Sequence, residues 1–176
     1  MDQILPDELV ALARKVIEAN RAAGRTIALA ESCTGGLVSA ALTEIPGSSD
    51  VFEGGFVTYS NEAKIKQIGV SLDVLETFGA VSIAVAWGMA RGALERSGAD
   101  VAVAITGIAG PDGGTEKKPV GTVVFARAEK GGDPENVVAD SRQFGDLGRA
   151  GVRRQAALVA LELLMPDAAP APTSLP

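Results

Sequence analysis

Residues 101–106 read V-A-V-A-I-T, an apolar run without a charged side chain, and residues 26–30 read T-I-A-L-A. Short apolar runs bounded by polar residues or glycine are typical of strands that a sheet buries on both faces. Segments with apolar residues three or four positions apart lie around them and indicate helices. An alternation of buried strands and helices predicts an α/β protein.

Outward from these two runs, helical and strand patterns continue along the chain. We expect helices at 7–23, 34–45, 61–68, 72–78, 82–97 and 149–165, and further strands at 55–60, 120–128 and 137–144. The last two strands flank a G-G-D-P turn, which predicts a hairpin. The elements together predict one three-layer α/β/α domain with a mixed sheet over residues 1–165. The Pro/Ala-rich tail at 166–176 is expected to be disordered.

Composition narrows the classes of protein that this chain can be. Its 176 residues suit a single domain with a substantial core, and its net charge is −6. A protein that binds nucleic acid phosphates normally shows a basic stripe, so we expect no nucleic acid partner. The first residues, M-D-Q-I-L-P-D-E, lack a signal pattern, and no apolar run is long enough to span a bilayer. We therefore expect a cytoplasmic protein without membrane contact.

The sequence contains no histidine and one cysteine, Cys33. Ser-His-Asp and Cys-His catalysis are therefore excluded. A conventional zinc site is excluded as well, and we expect no metal and no cofactor. A hydrolase of this composition must take its base from a lysine, a carboxylate, a tyrosine or a metal-bound water.

Ser32 stands in the motif E-S-C-T-G-G at 31–36, where a buried strand turns into a helix. The strand end carries the serine to the edge of the sheet, and the start of the helix offers N–H groups for a phosphate or an oxyanion. The donors expected are the N–H groups of Thr34, Gly35 and Gly36. The alternative is an ordinary helix cap followed by packing glycines. Cys33 is interpreted as a small buried hydrophobe.

Lys64 belongs to the motif T-Y-S-N-E-A-K at 58–64. With Asn61 as the helix cap, Lys64 lies in the first turn, where the helix dipole disfavours a cation. Keeping an ordinary lysine neutral at pH 7 costs about 4.6 kcal/mol. Because the dipole supplies roughly 0.3–1 kcal/mol of this, Lys64 must be buried to act as a base. The alternative is a solvated lysine paired with Glu62 or Glu53.

The glycine-rich segment T-G-I-A-G-P-D-G-G-T occupies 106–115, at the end of the most apolar strand. It matches neither the P-loop nor G-x-G-x-x-G. Its dense N–H groups, with Thr106 and Asp112, suit a ribose or a phosphate, and ligands of α/β sheets sit at such strand ends. The alternative is a wide connection that needs glycine for its backbone angles.

The motifs, in this order and spacing, resemble those of the C-terminal domain family of competence/damage-inducible protein A (CinA). The resemblance covers about residues 8–165. It rests on A-E-S-C-T-G-G at 30–36, P-G-S-S at 46–49, G-F-V-T-Y-S-N-E-A-K at 55–64, G-A-V-S at 79–82, A-V-A-I-T-G-I-A-G-P-D-G-G-T at 102–115 and K-P-V-G-T-V at 118–123.

The resemblance implies an amidohydrolase that converts nicotinamide mononucleotide to nicotinate mononucleotide and ammonia, in pyridine nucleotide recycling. It implies a metal-free Ser/Lys mechanism in a cytoplasmic homodimer, with Ser32 as nucleophile, Lys64 as base and Tyr59 in the catalytic site. The residues expected to bind substrate are Glu31, Thr34, Gly35, Gly36, Asn61, Thr106, Gly107, Gly110, Arg149 and Arg153. Among these, Glu31 is expected beside the pyridinium charge.

Two points stay open. The stretch G-D-L-G-R-A-G-V-R at 145–153 is two residues longer than the G-D-R-x-x-V-R of the family. Both Arg149 and Arg153 therefore stay candidates for the phosphate, with a solvated helix face as the alternative. The competing function is a non-catalytic nucleotide-binding module that uses the same glycine-rich loops.

Overall fold

A computed structural model describes residues 3–168 of the chain. These residues form a sheet of five strands with helices on both sides. The helices are α1 (Asp7–Ala22), α2 (Leu37–Thr43), α3 (Asn61–Ile68), α4 (Leu72–Phe78), α5 (Ile83–Ser97) and α6 (Gly148–Leu163). The strands are β1 (Ile27–Glu31), β2 (Phe52–Val57), β3 (Val101–Gly107), β4 (Thr122–Glu129) and β5 (Ala139–Gln143).

The strands lie in the order β2-β1-β3-β4-β5. β1 runs parallel to both of its neighbours, whereas β4 runs antiparallel to β3 and β5, so the predicted mixed sheet and hairpin are confirmed. From β1 the chain goes to β2 on one side and later to β3 on the other. Such a reversal opens a crevice at the carboxyl ends of the strands, where ligands of α/β sheets bind.

The two faces of the sheet carry side chains of different size. Larger apolar side chains pack with helices α1, α2 and α6; they include Ile27, Leu29, Val103, Ile105 and Phe125. Alanines pack on the opposite side with α3, α4 and α5; they include Ala28, Ala30, Ala102, Ala104 and Ala126. Both faces are buried, as the apolar runs predict, and the three-layer α/β/α architecture is confirmed.

Small residues also let α5 approach α3. A Cβ atom added at Gly92 would lie 1.9 Å from the carbonyl oxygen of Ile68, the last residue of α3. Any side chain larger than hydrogen would collide there, so the close approach requires glycine. The packing of α5 thus sets the position of α3, which carries Lys64.

Most predicted helix and strand bounds agree with the structure within a few residues. α3 and α4 have the predicted bounds, and Ser82 caps α5 because its hydroxyl accepts a hydrogen bond from the N–H group of Val85. The predicted cap of α3 was wrong: Ser60, rather than Asn61, accepts from the N–H group of Ala63.

Two other boundaries differ for reasons of backbone geometry. α2 begins at Leu37 rather than at 34, because Gly35 and Gly36 adopt φ angles of 59° and 94° that a helix does not permit. β2 spans Phe52–Val57 rather than 55–60, because it pairs along β1 and stops where Val57 lies opposite Glu31.

The predicted tail at 166–176 begins inside the described part of the chain. The carbonyl oxygens of Pro166 and Ala168 accept hydrogen bonds from Arg25 and Arg127, at 3.4 and 2.8 Å. The rest of the tail, from residue 169, lies outside the described residues. Within 3–168, each helix is too short or too polar to cross a bilayer.

Candidate active site

Ser32 lies at the carboxyl edge of the sheet, directly after β1. Its N–H group donates to the carbonyl oxygen of Ile105 in β3, at 2.9 Å, which continues the strand pairing through the serine. The N–H group of Thr58, directly after β2, donates to the carbonyl oxygen of Glu31, also at 2.9 Å. Backbone pairing thus holds three strand ends around the Ser32 hydroxyl.

Lys64 reaches the same point from α3, and its side chain is buried, with 1% of the residue exposed. Its Nζ atom lies 3.0 Å from Oγ of Ser32, 2.7 Å from the carbonyl oxygen of Thr58 and 3.4 Å from that of Tyr59. A neutral amine has two N–H groups and one lone pair. With the two N–H groups donated to the carbonyls, the lone pair is left to accept the proton of the Ser32 hydroxyl.

The burial of Lys64 lowers its pKa from 10.5 to about 8, because the ammonium form loses its hydration. Deprotonating Lys64 at pH 7 then costs about 1.4 kcal/mol, whereas deprotonating a solvated lysine costs about 4.6 kcal/mol. The predicted burial is confirmed, and the alternative of a solvated ion pair was wrong. It is Lys66 that pairs with Glu62, at 2.6 Å.

A cavity of about 260 Å³ opens over these two side chains. Eight predicted site residues line it: Ser32, Tyr59, Asn61, Lys64, Thr106, Gly107, Gly110 and Arg149. The remaining lining residues are Cys33, Ala80, Val81, Ile108, Ala109, Asp112 and Gly113. Three segments that are distant in sequence, following β1, β2 and β3, therefore share one cavity, as the motifs predict.

Arg149 bridges two walls of this cavity. Its Nη1 atom donates to the carbonyl oxygen of Gly110 at 2.7 Å, and its Nη2 atom donates to the Tyr59 hydroxyl at 2.8 Å. Thr106 also lines the cavity, and its hydroxyl donates to the carbonyl oxygen of Ala80 at 2.8 Å. The structure thus separates the two candidate arginines, because Arg149 lines the cavity and Arg153 does not.

Five predicted binding residues do not line the cavity: Glu31, Thr34, Gly35, Gly36 and Arg153. Glu31 is fully buried and faces the start of α2, so it is not beside the cavity. The N–H group of Gly35 donates to the carbonyl oxygen of Ser32, and that of Gly36 to the Glu31 carboxylate. The expectation that these two N–H groups are free to bind an oxyanion was therefore wrong.

Two contributions to the site were missed from the sequence. The first is Thr58, which holds Lys64 through a backbone carbonyl, an interaction that no side-chain pattern reveals. The second is Cys33, which is buried as interpreted but also lines the cavity. Burial raises the pKa of its thiol to about 11, which keeps it protonated and unreactive beside Ser32.

The cavity combines a serine hydroxyl with a buried amine. Within residues 3–168, no three His, Cys, Asp or Glu side chains are grouped so that they could hold a metal ion. A serine hydroxyl within hydrogen-bond distance of a base is the arrangement of nucleophilic acyl transfer. The site can therefore generate an alkoxide from its own side chains.

Comparison with known proteins agrees with the fold and the motifs. A model of the CinA C-terminal domain family matches residues 9–167. The chain is 53% identical to nicotinamide-nucleotide amidohydrolase PncC of Escherichia coli over 157 residues, which make up 89% of this chain and 93% of that protein. The crystal structure of competence/damage inducible protein CihA from Agrobacterium tumefaciens has a TM-score of 0.87 and 48% identity, over 93% of this chain and 97% of that one.

Other relatives are longer than this chain. It is 55% identical over 147 residues to a competence-damage inducible protein of Symbiobacterium thermophilum, and the match covers 80% of this chain. It covers 34% of that relative, so the chain spans about a third of its length. The family model, these identities and the shared fold establish that the chain belongs to the CinA C-terminal domain family.

Proposed function

We propose that this chain is an amidohydrolase that converts nicotinamide mononucleotide to nicotinate mononucleotide and ammonia through an acyl-enzyme on Ser32. The observation that carries the proposal is the distance of 3.0 Å between Oγ of Ser32 and the buried Nζ of Lys64. The name and 53% identity of the E. coli relative supply the substrate. The match to that relative extends over nearly its whole length, which supports transfer of the activity.

The reaction begins with neutral Lys64 taking the proton of the Ser32 hydroxyl. The oxygen attacks the carboxamide carbon, and the pyridinium ring of the substrate favours this step by withdrawing electrons. As the C–N bond breaks, Lys64 returns the proton to the nitrogen, which leaves as ammonia. Water then attacks the nicotinoyl ester, its proton passes through Lys64 to Ser32, and the carboxylate product is released.

The oxyanion of the tetrahedral intermediate needs N–H donors close to Ser32. No other residue in the described part of the chain accepts a hydrogen bond from the N–H group of Cys33, and Cys33 lines the cavity. The amide after a nucleophile commonly serves this role. The sequence predicted Thr34, Gly35 and Gly36 as donors; we assign the role to Cys33 in place of Gly35 and Gly36, and the N–H group of Thr34 stays a prediction.

The rest of the mononucleotide is assigned to the walls of the cavity. Arg149 is the candidate for the phosphate, because its guanidinium lies at the wall and can exchange neutral acceptors for a charged one. Tyr59, which the resemblance places in the catalytic site, directs its hydroxyl to Arg149. The segment from Thr106 to Gly113 and Asn61, which line the same cavity, are assigned to the ribose and the ring.

The assembly and location implied by the family resemblance are part of this proposal. We expect a cytoplasmic homodimer that acts in pyridine nucleotide recycling, without metal, cofactor or nucleic acid. Light scattering coupled to gel filtration tests the dimer. An assay in excess chelator tests the absence of a metal requirement.

The deciding experiment measures ammonia release from nicotinamide mononucleotide by purified protein and by its Ser32→Ala variant. We expect turnover by the wild type and none by the variant, with an unchanged circular dichroism spectrum. Ser71→Ala, on an exposed serine whose side chain caps nothing, is the control. A Ser32→Ala protein with full activity contradicts the mechanism. Tight binding of the nucleotide by the wild type without any turnover favours the non-catalytic module instead.

A further inference from the structure

The segment 31–36, here called the nucleophile turn, is held by two charged side chains that do not reach the cavity. We propose that Glu31 and Arg153 are positioning residues, which fix the peptide planes of the nucleophile turn and thereby aim the Ser32 hydroxyl at Lys64. The proposal rests on the proposed function, because it assumes that Ser32 is the nucleophile. It assigns to both residues a role other than the substrate contact implied by the resemblance.

Arg153 approaches the nucleophile turn from α6. Its Nε atom donates to the carbonyl oxygen of Cys33 at 3.1 Å, and its Nη2 atom donates to that of Thr34 at 3.0 Å. One rigid guanidinium therefore orients two successive carbonyls. Because a trans peptide plane holds its C=O and N–H in opposite directions, the N–H groups of Thr34 and Gly35 are oriented as well.

Glu31 holds the nucleophile turn from the other side. Its carboxylate is fully buried and accepts from the N–H groups of Gly36 and Val38 at 3.1 Å and from that of Ser39 at 2.8 Å. The Ser39 hydroxyl donates a fourth hydrogen bond, at 2.7 Å. A carboxylate with this number of donors caps the start of α2 and ties it to the end of β1.

The peptide planes that follow Ser32 are therefore fixed one after another. The first is held by the hydrogen bond from Gly35 to the Ser32 carbonyl, at 3.0 Å, and the second by Arg153. The third is held by Arg153 together with the N–H group of Leu37, which also donates to the Thr34 carbonyl, at 3.1 Å. Glu31 holds the N–H group of Gly36, which closes the turn. In this arrangement the N–H group of Cys33 points away from the Ser32 carbonyl. Among residues 3–168 no other residue accepts from it, and we assign it to the oxyanion.

This role makes a specific kinetic prediction. A displacement of about 1 Å at a reacting atom can lower the rate by a factor on the order of 100. Since neither side chain lines the cavity, we expect their loss to change binding of the substrate little. Loss of Arg153 or Glu31 should therefore lower kcat and leave KM within about threefold.

The experiment compares Arg153→Ala and Arg153→Lys with the matched control Arg154→Ala. Arg154 is the next residue on α6 and pairs with Glu8 at the surface. Each protein is assayed for kcat and KM on nicotinamide mononucleotide and for the rate at which a fluorophosphonate labels Ser32, followed by mass spectrometry. Labelling reads the reactivity of the nucleophile without any substrate contact.

We expect Arg153→Ala to lower kcat and the labelling rate by a factor on the order of 100. Arg153→Lys should recover part of both, because an ammonium can reach one carbonyl but lacks the planar fork. Arg154→Ala should match the wild type. A folded Arg153→Ala protein with wild-type kcat and labelling overturns the proposal, as does a rise in KM alone, which would mark Arg153 as a substrate contact.

Two further variants keep the outcome decisive. If Arg153→Ala does not fold, Arg153→Lys and Glu31→Gln are judged by the same criteria, since glutamine keeps the size of Glu31 but loses half of its acceptors. Ser32→Ala separates this proposal from the proposed function. If Ser32→Ala still releases ammonia, the nucleophile itself is wrong; if it is inactive while Arg153→Ala is unaffected, only the positioning role fails.

Discussion

Nζ of Lys64 lies 2.7 Å from the carbonyl oxygen of Thr58, the residue that follows the edge strand β2. The carbonyl can accept from the amine in either protonation state, so it fixes the position of the nitrogen without requiring a charge. No carboxylate pairs with Lys64 in the described part of the chain, and its pKa falls to about 8. The neutral base that the proposed mechanism requires is thus available near physiological pH.

The rate should therefore rise with pH. Because only neutral Lys64 can take the Ser32 proton, kcat/KM is expected to increase through a pH of about 8 and then level off. Lys64→Arg should be inactive across this range, since a guanidinium stays protonated. The measurement is ammonia release between pH 6 and about 10, with substrate stability checked in parallel. A flat profile contradicts Lys64 as the base.

The same lysine should make folding stability depend on pH. The native state has a pKa of about 8 against 10.5 in the unfolded chain, so between these values the unfolded chain binds more protons. The contribution of Lys64 to the unfolding free energy therefore rises with pH through this window, by up to about 3 kcal/mol. Lys64→Met removes this contribution and leaves the opposite one of Cys33, whose raised thiol pKa lowers stability as the pH rises above about 9.

Denaturant titrations at pH 7 and at about pH 10 check this on both proteins. The difference in unfolding free energy, Lys64→Met minus wild type, should be more positive at pH 7 than at pH 10. The other ionisable groups are common to the two proteins, so their contributions cancel in the comparison, apart from the interaction between Cys33 and Lys64. If this difference in unfolding free energy is the same at both pH values, burial does not lower the pKa of Lys64.

Arg149 should contribute to binding rather than to the chemical step. Hydrogen bonds to a charged group are worth about 1.5–3 kcal/mol, so Arg149→Ala is expected to raise KM for the mononucleotide by about 10- to 100-fold. Its effect on the riboside, which lacks the phosphate, should be small. Tyr59→Phe removes one partner of Arg149 and should raise KM less. If Arg149→Ala raises KM for the riboside as much as for the mononucleotide, Arg149 does not contact the phosphate.

Two glycines of α5 allow a matched test of packing. Gly92→Ala places a methyl group 1.9 Å from the carbonyl oxygen of Ile68, whereas Gly88→Ala meets Val70 at 3.8 Å, an ordinary contact. We expect Gly92→Ala to lower the unfolding free energy by about 1–3 kcal/mol and to reduce activity, because it displaces α3. Gly88→Ala should raise the unfolding free energy by up to about 1 kcal/mol, because alanine has a higher helix propensity than glycine. The midpoints of denaturant unfolding of the two variants test this prediction. Equal midpoints for Gly92→Ala and Gly88→Ala would contradict the close approach of α5 to α3.

The sequence predicted the architecture well because its strong signals are local. The run V-A-V-A-I-T at 101–106 indicates a buried strand by composition alone, and the bounds of α3 follow from its helical spacing. Ser32 and Lys64 were predicted at strand-to-helix junctions, which topology then brings to one edge of the sheet.

What the sequence could not predict is the direction of each side chain. Glu31 precedes Ser32 and carries a charge, yet it faces α2 because the strand alternates its side chains between two faces. Arg149 and Arg153 stand four residues apart, on one side of α6, and spacing alone does not distinguish them. Gly36 was predicted to offer its N–H group to an anion of the substrate, whereas its N–H group and that of Ser39 donate to the Glu31 carboxylate.

Three parallel strands each end beside one part of this site, so no single stretch of chain holds all of it. A fragment that stops before β3 would carry Ser32 and Lys64 but not the wall from Thr106 to Gly113. Recovery of ammonia release during refolding should therefore follow assembly of the sheet and lag behind the formation of helices. In this small domain, enzymatic turnover serves as a reporter of long-range strand association.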